Sequence, residues 1–494
     1  MKTGQAEMTM RAFRISIAAS AMTLIAAAAA AQDGQVIVKN DEVGGVYEGT
    51  FENGLRHGTG TYRLPNGFEY QGNWVEGVIQ GKGIARFVDG AIYEGTFANG
   101  QPEGRGKIIY TDGGSYEGEW ANGTIHGTGV AVYANGVRYE GGFQNSRHHG
   151  KGVMTDPGGY SYDGDWVEGV KQGKGKITYA EGGVYEGDIK DGQRHGQGSL
   201  TLPDGMSYVG DWVEDHITGN GRLSYVNGDV YEGALIDGRR QGKGKIVFAN
   251  GDVYEGDYAD DARNGQGVYT GTDGFAYTGE WTSGQIEGLG EMTYPDGSIY
   301  VGDFLADLAE GKGRITYTDG STYEGDWIAG VIEGQGVSTY PNGTVYKGQF
   351  KNAKNHGKGI LRLADGYSYD GEWVDGLRQG KGITTYPDGT TYSGDFVQGK
   401  RHGQGKIAMA NGFNYSGAWT EGKITGNGVA TYPSGDVYEG SFVDAKRQGN
   451  GTVRYANGEV ESGVWENGAL ATSDDNEPAP TPEATPSDTN STDG

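Results

Sequence analysis

The chain has 494 residues, 96 of them glycine and none cysteine, with 35% hydrophobic residues and a formal net charge of −26. Glycine without a Gly-x-y triplet excludes a triple helix. So little aliphatic side chain leaves a compact core of this size unfilled, whereas a thin repetitive sheet buries each apolar face only against its neighbours. The acidity opposes contact with nucleic-acid phosphates and anionic head groups, and the lack of cysteine removes disulfides, thiolate metal sites and thiol catalysis.

Residues 1–31 read as a secretory signal. Arg11 and Arg14 form a positive start, Ile15 to Ala30 is apolar or small, and Ala29-Ala30-Ala31 is a small-residue cleavage site before Gln32. The alternative is a retained anchor helix, for which the run is short and lacks a basic stop-transfer cluster. Removal of this segment takes away three cations and one anion, giving a mature charge of −28. Residues 32–46 form a lead-in, with Val36-Ile37-Val38 as a capping strand.

From Tyr47 a 23-residue unit repeats eighteen times without insertion or deletion, the last copy starting at Tyr438 and ending at Val460. A partial repeat or C-terminal cap follows over 461–470. Residues 471–494, rich in Pro, Thr, Ser and acid, read as a disordered tail. Counting each Tyr as position 1, the unit starting at Tyr162 alternates with period two. Tyr162, Gly164 and Trp166 share one face, Asp163 and Asp165 the other, and Gly175, Ile177 and Tyr179 share a face of a second segment. This predicts two strands per repeat, with one turn at Glu168-Gly169 and another at the Asn-Gly, Asp-Gly or Glu-Gly pair near the repeat's end. Seven of the twelve prolines immediately precede that second turn pair. Glycine at positions 3, 12, 14 and 21 has no exception. At position 3, between two aromatics, it is expected to let large rings lie over the backbone.

Position 5 alternates between Trp and a smaller residue, and the alternation slips between Leu235 and Tyr258. Six repeats move an aromatic or Met from position 18 to position 22, and three of them (Phe68, Tyr160, Met206) return 207 residues later as Phe275, Tyr367 and Phe413. That offset is nine repeats, so the array divides into two pseudo-equivalent halves, 47–253 and 254–460.

Tyr116-Glu-Gly-Glu-Trp120 followed by Gly127-Thr-Gly129 resembles the MORN (membrane occupation and recognition nexus) repeat, and the pattern recurs throughout 47–460. The resemblance implies a hairpin per repeat, stacked into an elongated open antiparallel sheet of all-β class. The qualifier of an exported bacterial type comes from the leader.

No recognisable catalytic, cofactor or metal site emerges. The recurrent Gly-x-Gly lacks the third glycine and the following helix of a nucleotide loop, and Gly238-Arg-Arg-Gln-Gly242-Lys243 is one residue short of a P-loop. Six histidines at position 11 (His57, His126, His149, His195, His356, His402) read as polar turn residues rather than zinc ligands. Carboxylates at positions 2 and 4 read as a solubilising band, with weak calcium binding as the minor alternative.

The remaining feature is the aromatic row Tyr70, Trp74, Tyr116, Trp120, Tyr162, Trp166, Tyr208, Trp212, Tyr277, Trp281, Tyr323, Trp327, Tyr369, Trp373, Tyr415 and Trp419. It reads first as self-packing in place of an aliphatic core, and alternatively as a stripe for a partner or ligand. The expectation is a non-enzymatic exported scaffold, periplasmic or extracellular, that binds proteins and self-associates as a homo-oligomer without nucleic acid or cofactor. The alternative is a cell-envelope module touching glycan or membrane lipid through the Tyr/Trp stripe. MORN arrays elsewhere accompany lipid-phosphate kinase domains, and the 46 residues before the array and 34 after it leave no room for one in this sequence. Mass spectrometry of the protein recovered from outside the cytoplasm should give a mature N-terminus at Gln32; an intact Met1 chain there would defeat the leader assignment.

Overall fold

The computed structural model describes residues 36–473. The leader and nearly all of the tail lie outside them. Among the described residues every regular element is a β-strand, 39 in all, from Ile37–Asn40 to Ala469–Ser473. They fall into two units, one ending at Ala262 and one starting at Arg263. Within the first unit each strand pairs antiparallel with the next in the chain, from Ile37↔Gly49 to Val247↔Val253. The second unit repeats this meander from Gly265↔Trp281 to Gly463↔Ser473. Open antiparallel β-structure built from one hairpin per repeat is thus present in both. Ile37–Asn40 forms a short strand at the start of the first unit, paired antiparallel with Val46–Glu52.

The two turns of a repeat differ in physics. Ser161–Val167 and Val170–Thr178 are joined by Glu168-Gly169, both left-handed at φ 49° and 90°, a two-residue hairpin whose twist matches that of its strands. At the second turn, residues 179–183, only Gly182 is left-handed (φ 97°) and its N–H donates to the Tyr179 carbonyl at 2.9 Å. This refines the expectation that the Asn-Gly or Asp-Gly pair supplies the tight left-handed turn. Position 20 keeps negative φ because its side chain is occupied: Asp89 Oδ1 accepts the Ala91 N–H at 3.0 Å and Asp204 Oδ1 that of Met206 at 2.9 Å. Proline fits just before it, at the second residue of a turn that favours φ near −65°.

The hairpins paired within each unit carry a bulge. Gly164 pairs with Gly175 but Asp165 with Gln172, so Gly173 (φ 72°) and Lys174 lie outside the ladder. The freed Lys174 N–H donates to Asp165 Oδ2 at 3.1 Å, and Gln197 and Gln335 donate likewise to Asp188 and Asp326. Position-4 carboxylates therefore cap bulges, a duty beyond solubility. The position-11 histidines sit on strands rather than in turns, as with His195 opposite Asp188.

The core is a consequence of the glycines. A Cβ on Gly164 would lie 2.5 Å from the Tyr162 hydroxyl oxygen, and one on Gly175 would lie 2.4 Å from its ring. The position-1 ring lies flat across its own strand and the partner strand, over two residues that have nothing to put in its way. All eighteen such tyrosines are at most 2% exposed. Replacing Gly175 by Ala should displace the Tyr162 ring and destabilise its hairpin by at least ~2 kcal/mol. Conversely, Ala353 (φ 59°) and Ala445 (φ 65°) hold turn positions where other repeats have Gly, and changing either to Gly should stabilise by about 1 kcal/mol. Hydrogen exchange of the affected hairpins reads both, since a repeat array opens locally; unchanged protection in Gly175→Ala would contradict the ring placement.

Candidate functional site: a cation-capped aromatic face

Position 1 meets position 5 twice. Tyr70 touches Trp74 of its own repeat (5.5 Å between ring centroids) and Phe97 of the next (5.1 Å), both edge-to-face, and the pattern continues as a zipper of such pairs. Both polar tips are satisfied. Every position-1 hydroxyl donates to the position-4 carbonyl, as Tyr70 does to Asn73 at 3.0 Å and Tyr162 to Asp165 at 2.9 Å. All nine Trp indoles donate to the position-14 glycine carbonyl of the preceding repeat, for example Trp166 to Gly152 at 3.1 Å and Trp419 to Gly405 at 3.1 Å. Burial raises the tyrosine pKa values, that of Tyr415 to about 12.

The sixteen residues of the expected stripe are all placed on this face. The Tyr members are at most 2% exposed and the Trp members 2–6%. They form the core, and their ring faces are already taken by backbone and by one another. A sugar or lipid chain could stack on them only by opening the sheet, so the geometry matches the self-packing reading.

What lies above the rings is position 10, which sequence reasoning passed over; it is half-buried where it is Arg or Lys and mostly buried where it is Ile. It stands directly opposite position 5, as Trp166 pairs with Lys171 and Trp74 with Ile79. Isoleucine occurs there only in hairpins whose position 5 is Trp: Ile79, Ile125, Ile217, Ile286, Ile332 and Ile424. Most other copies carry Arg, laid over rings: Arg194 is 4.2 Å from Trp212, Arg263 4.0 Å from Trp281, Arg401 4.4 Å from Trp419 and Arg447 4.2 Å from Trp465. Such contacts contribute roughly 0.5–1 kcal/mol when partly exposed. Reading this column alone reveals the order. The first half runs Arg56, Ile79, Pro102, Ile125, His148, Lys171, Arg194, Ile217, Arg240, and the second Arg263, Ile286, Ala309, Ile332, Asn355, Arg378, Arg401, Ile424, Arg447.

The opposite face is a lattice of exposed charge. Lys151 bridges Asp165 (2.7 Å) and Lys243 bridges Asp257 (2.8 Å) across adjacent repeats, and the lysine beside it helps hold the Asp165 carboxyl below its usual range. Pairs this exposed add little stability. Among the described residues no three of His, Asp and Glu gather where they could hold a metal ion.

His148 is the exception in the column. It stacks on Tyr139 (3.7 Å, 19°), meets Trp166 edge-on (4.9 Å), and its Nε2 lies 2.7 Å from the Tyr133 hydroxyl. Burial pushes its pKa down to about 4. The neutral ring is favoured in the folded state, so its full contribution holds above about pH 6.5, declines as pH falls, and is gone below about pH 4. Replacing His148 by Asn, the residue at the equivalent position 355, should flatten the stability profile of this hairpin across that window. An unchanged slope, read by pH-dependent hydrogen exchange, would show that His148 does not titrate this way.

The chain was compared with known proteins. Models of the MORN repeat match eighteen stretches, from 47–68 to 438–460, including 116–138 and 162–184. No curated protein sequence matches. Similar solved structures include the TCP domain of Drosophila melanogaster SAS-4 in complex with a proline-rich motif of Ana2, at 17% identity and TM-score 0.21, covering 35% of this chain and 86% of that one. Another is the TCP10 domain of Danio rerio CPAP in complex with a STIL peptide, at 14% identity and TM-score 0.19, covering 58% and 96%. A third is virginiamycin B lyase from Staphylococcus aureus, at 11% identity and TM-score 0.10, covering 58% and 92%. With eighteen matched units occupying most of its length and a hairpin for each, the chain belongs to the MORN repeat family.

Proposed function

We propose that this protein is an exported, non-enzymatic interaction scaffold whose partner-reading surface is the cation-capped aromatic face. The observation that supports this most is the division of labour on that face. Positions 1 and 5 are committed to the core, whereas the Arg and Lys side chains of position 10 are half-buried above them, interspersed with mostly buried Ile in an order that the two halves largely share. Six of its nine pairs are identical 207 residues apart, and Lys171/Arg378 keeps the charge. On an acidic chain this column concentrates guanidinium groups backed by aromatic rings, a chemistry suited to extended acidic protein segments.

Self-association is the second part of the reading, supported by the terminal strands. Among the described residues Ile37–Asn40 pairs on one side only, with Val36 and Val38 69% and 62% exposed, and such an edge offers unpaired backbone groups to another chain. Light scattering of the mature protein should show mass rising with concentration, and a panel of acidic peptides should bind in a salt-sensitive way. A single-chain mass throughout, together with no peptide binding, would sink both parts. Saturable quenching of tryptophan fluorescence by cell-wall polymers would instead favour a glycan-binding module.

A further inference from the structure

Two neighbouring blocks of the second unit differ in charge. Counting from Tyr47, repeats 11 to 13 (residues 277–345) hold eleven carboxylates against two cations, Lys312 and Arg314. Repeats 14 to 16 (residues 346–414) hold six carboxylates against ten cations. The contrast gathers at the hairpin tips, on the face opposite the rings, where positions 6 and 9 pair across each two-residue turn. The tips of repeats 12 and 13 are apolar: Leu305 pairs with Leu308 and Ile328 with Val331, at 53%, 47%, 55% and 42% exposed. Leu308 reaches the next tip, its Cδ2 lying 3.6 Å from where a Cβ on Gly330 would stand. Beside these tips Glu287, Glu310 and Glu333 occupy position 11 of consecutive repeats. The tip of repeat 14 carries Lys351 and Lys354, with Lys358 at position 13, and that of repeat 15 carries the exposed Val374 and Leu377. Among the described residues none of these three acids and three lysines takes part in an ion pair.

The fold requires none of this. Gln80, Gln379 and Gln448 at position 11 accept, at 3.0 Å, the same turn N–H that Glu310 accepts at 2.8 Å, so the bond needs only an amide oxygen and the charge is surplus to it. The first half of the array folds with Ala98, Gln101, Ala121 and Thr124 where the second has Leu305, Leu308, Ile328 and Val331. Ala306 and Ala329 hold left-handed turn positions (φ 49° and 48°) that every other repeat gives to Asn, Asp, Glu, Gln or Ser. Alanine has no local hydrogen bond to offset the cost of that conformation. We infer that the hairpin tips of repeats 11 to 16 form the contact between two antiparallel copies of this chain, the acidic, apolar block of each lying on the basic block of the other. This rests on the reading that the protein self-associates, and it adds a contact surface distinct from the terminal strands.

The strip is its own complement. A two-fold axis between repeats 13 and 14 makes every contact occur twice with the partners exchanged. Glu333 then comes opposite Lys351 and Lys354 of the second copy, and Leu305 and Leu308 come opposite its Val374 and Leu377. The apolar side chains supply the affinity by leaving water together, and the charges set the register and the antiparallel sense. Both rows advance by two ~4.8 Å strand spacings per repeat, so they stay in step across the contact. Positions 6, 7, 9 and 11 of the six repeats number 24 residues, within the roughly 20–30 a side of a specific interface. A parallel pairing would set acid on acid and lysine on lysine. An anionic membrane surface is opposed by the same carboxylates. Because the strip faces away from the rings, the contact leaves position 10 free for partners.

The test is light scattering of the mature chain and two triple variants, with folding checked by circular dichroism. One variant is Glu287→Lys with Glu310→Lys and Glu333→Lys, which makes the whole strip basic. The other is Lys351→Glu with Lys354→Glu and Lys358→Glu, which makes it acidic. The wild-type mass should approach twice that of one chain as concentration rises. Each variant alone should stay at the single-chain mass over the same range, and an equimolar mixture of the two should recover the doubled mass. A folding defect would not be repaired by mixing. A doubled mass that persists in either variant alone, or a mixture that stays at the single-chain mass, overturns the proposal. Mass that rises equally in both variants and is lost on deletion of residues 36–40 removes only this inference and leaves self-association through the terminal strand standing. A single-chain mass for the wild type throughout removes both.

Discussion

The structure depends on one contact repeated eighteen times: a tyrosine ring laid across two glycines, with its hydroxyl hydrogen-bonded to a carbonyl three residues ahead on its own strand. The ring needs glycine at positions 3 and 14 because any Cβ there would fall inside its van der Waals radius. The hydroxyl explains why the residue is Tyr at every copy: phenylalanine would fill the space and leave the backbone oxygen short of a donor. Alternating Trp and smaller rings at position 5 then close the gaps edge-on. A sheet with little aliphatic content thereby gains a core made from ring edges and bare backbone.

Much of this was legible from the residues because its causes are local. Period-two alternation gave strands, Gly at fixed positions gave turns and close approach, and the repeat length gave the stacking. The turn types were partly misassigned for a physical reason: an Asx side chain bonding two residues on can hold a negative φ before glycine, so the dipeptide alone does not fix the geometry. The bulge was invisible for a different reason. It shows only when the two strands are set in register, and only then do the position-4 acids emerge as its caps.

The face that carries the functional reading was hidden in a column rather than in a motif. Tyr and Trp drew attention because they are large and periodic, yet those traits suit a core. Position 10 alternates between Ile and Arg, and its logic appears only across the ladder: Ile fills the space beside an indole in its own hairpin, while Arg lies over rings it shares with the next. His148 occupies the same column and shows how much that environment can change a titratable group.

The indole bonds run in one direction only. Each Trp reaches back to a glycine carbonyl of the repeat before it, while repeats with Phe, Tyr, Ile or Leu at position 5 place no indole there. A break in front of an indole-bearing repeat strands a buried donor, whereas a break in front of its neighbour strands none. Both sequence halves open on an indole-free repeat, at Phe51 and Tyr258. The array thus has a natural seam in front of each indole-free repeat, every second hairpin except where the repeats of Leu235 and Tyr258 follow one another.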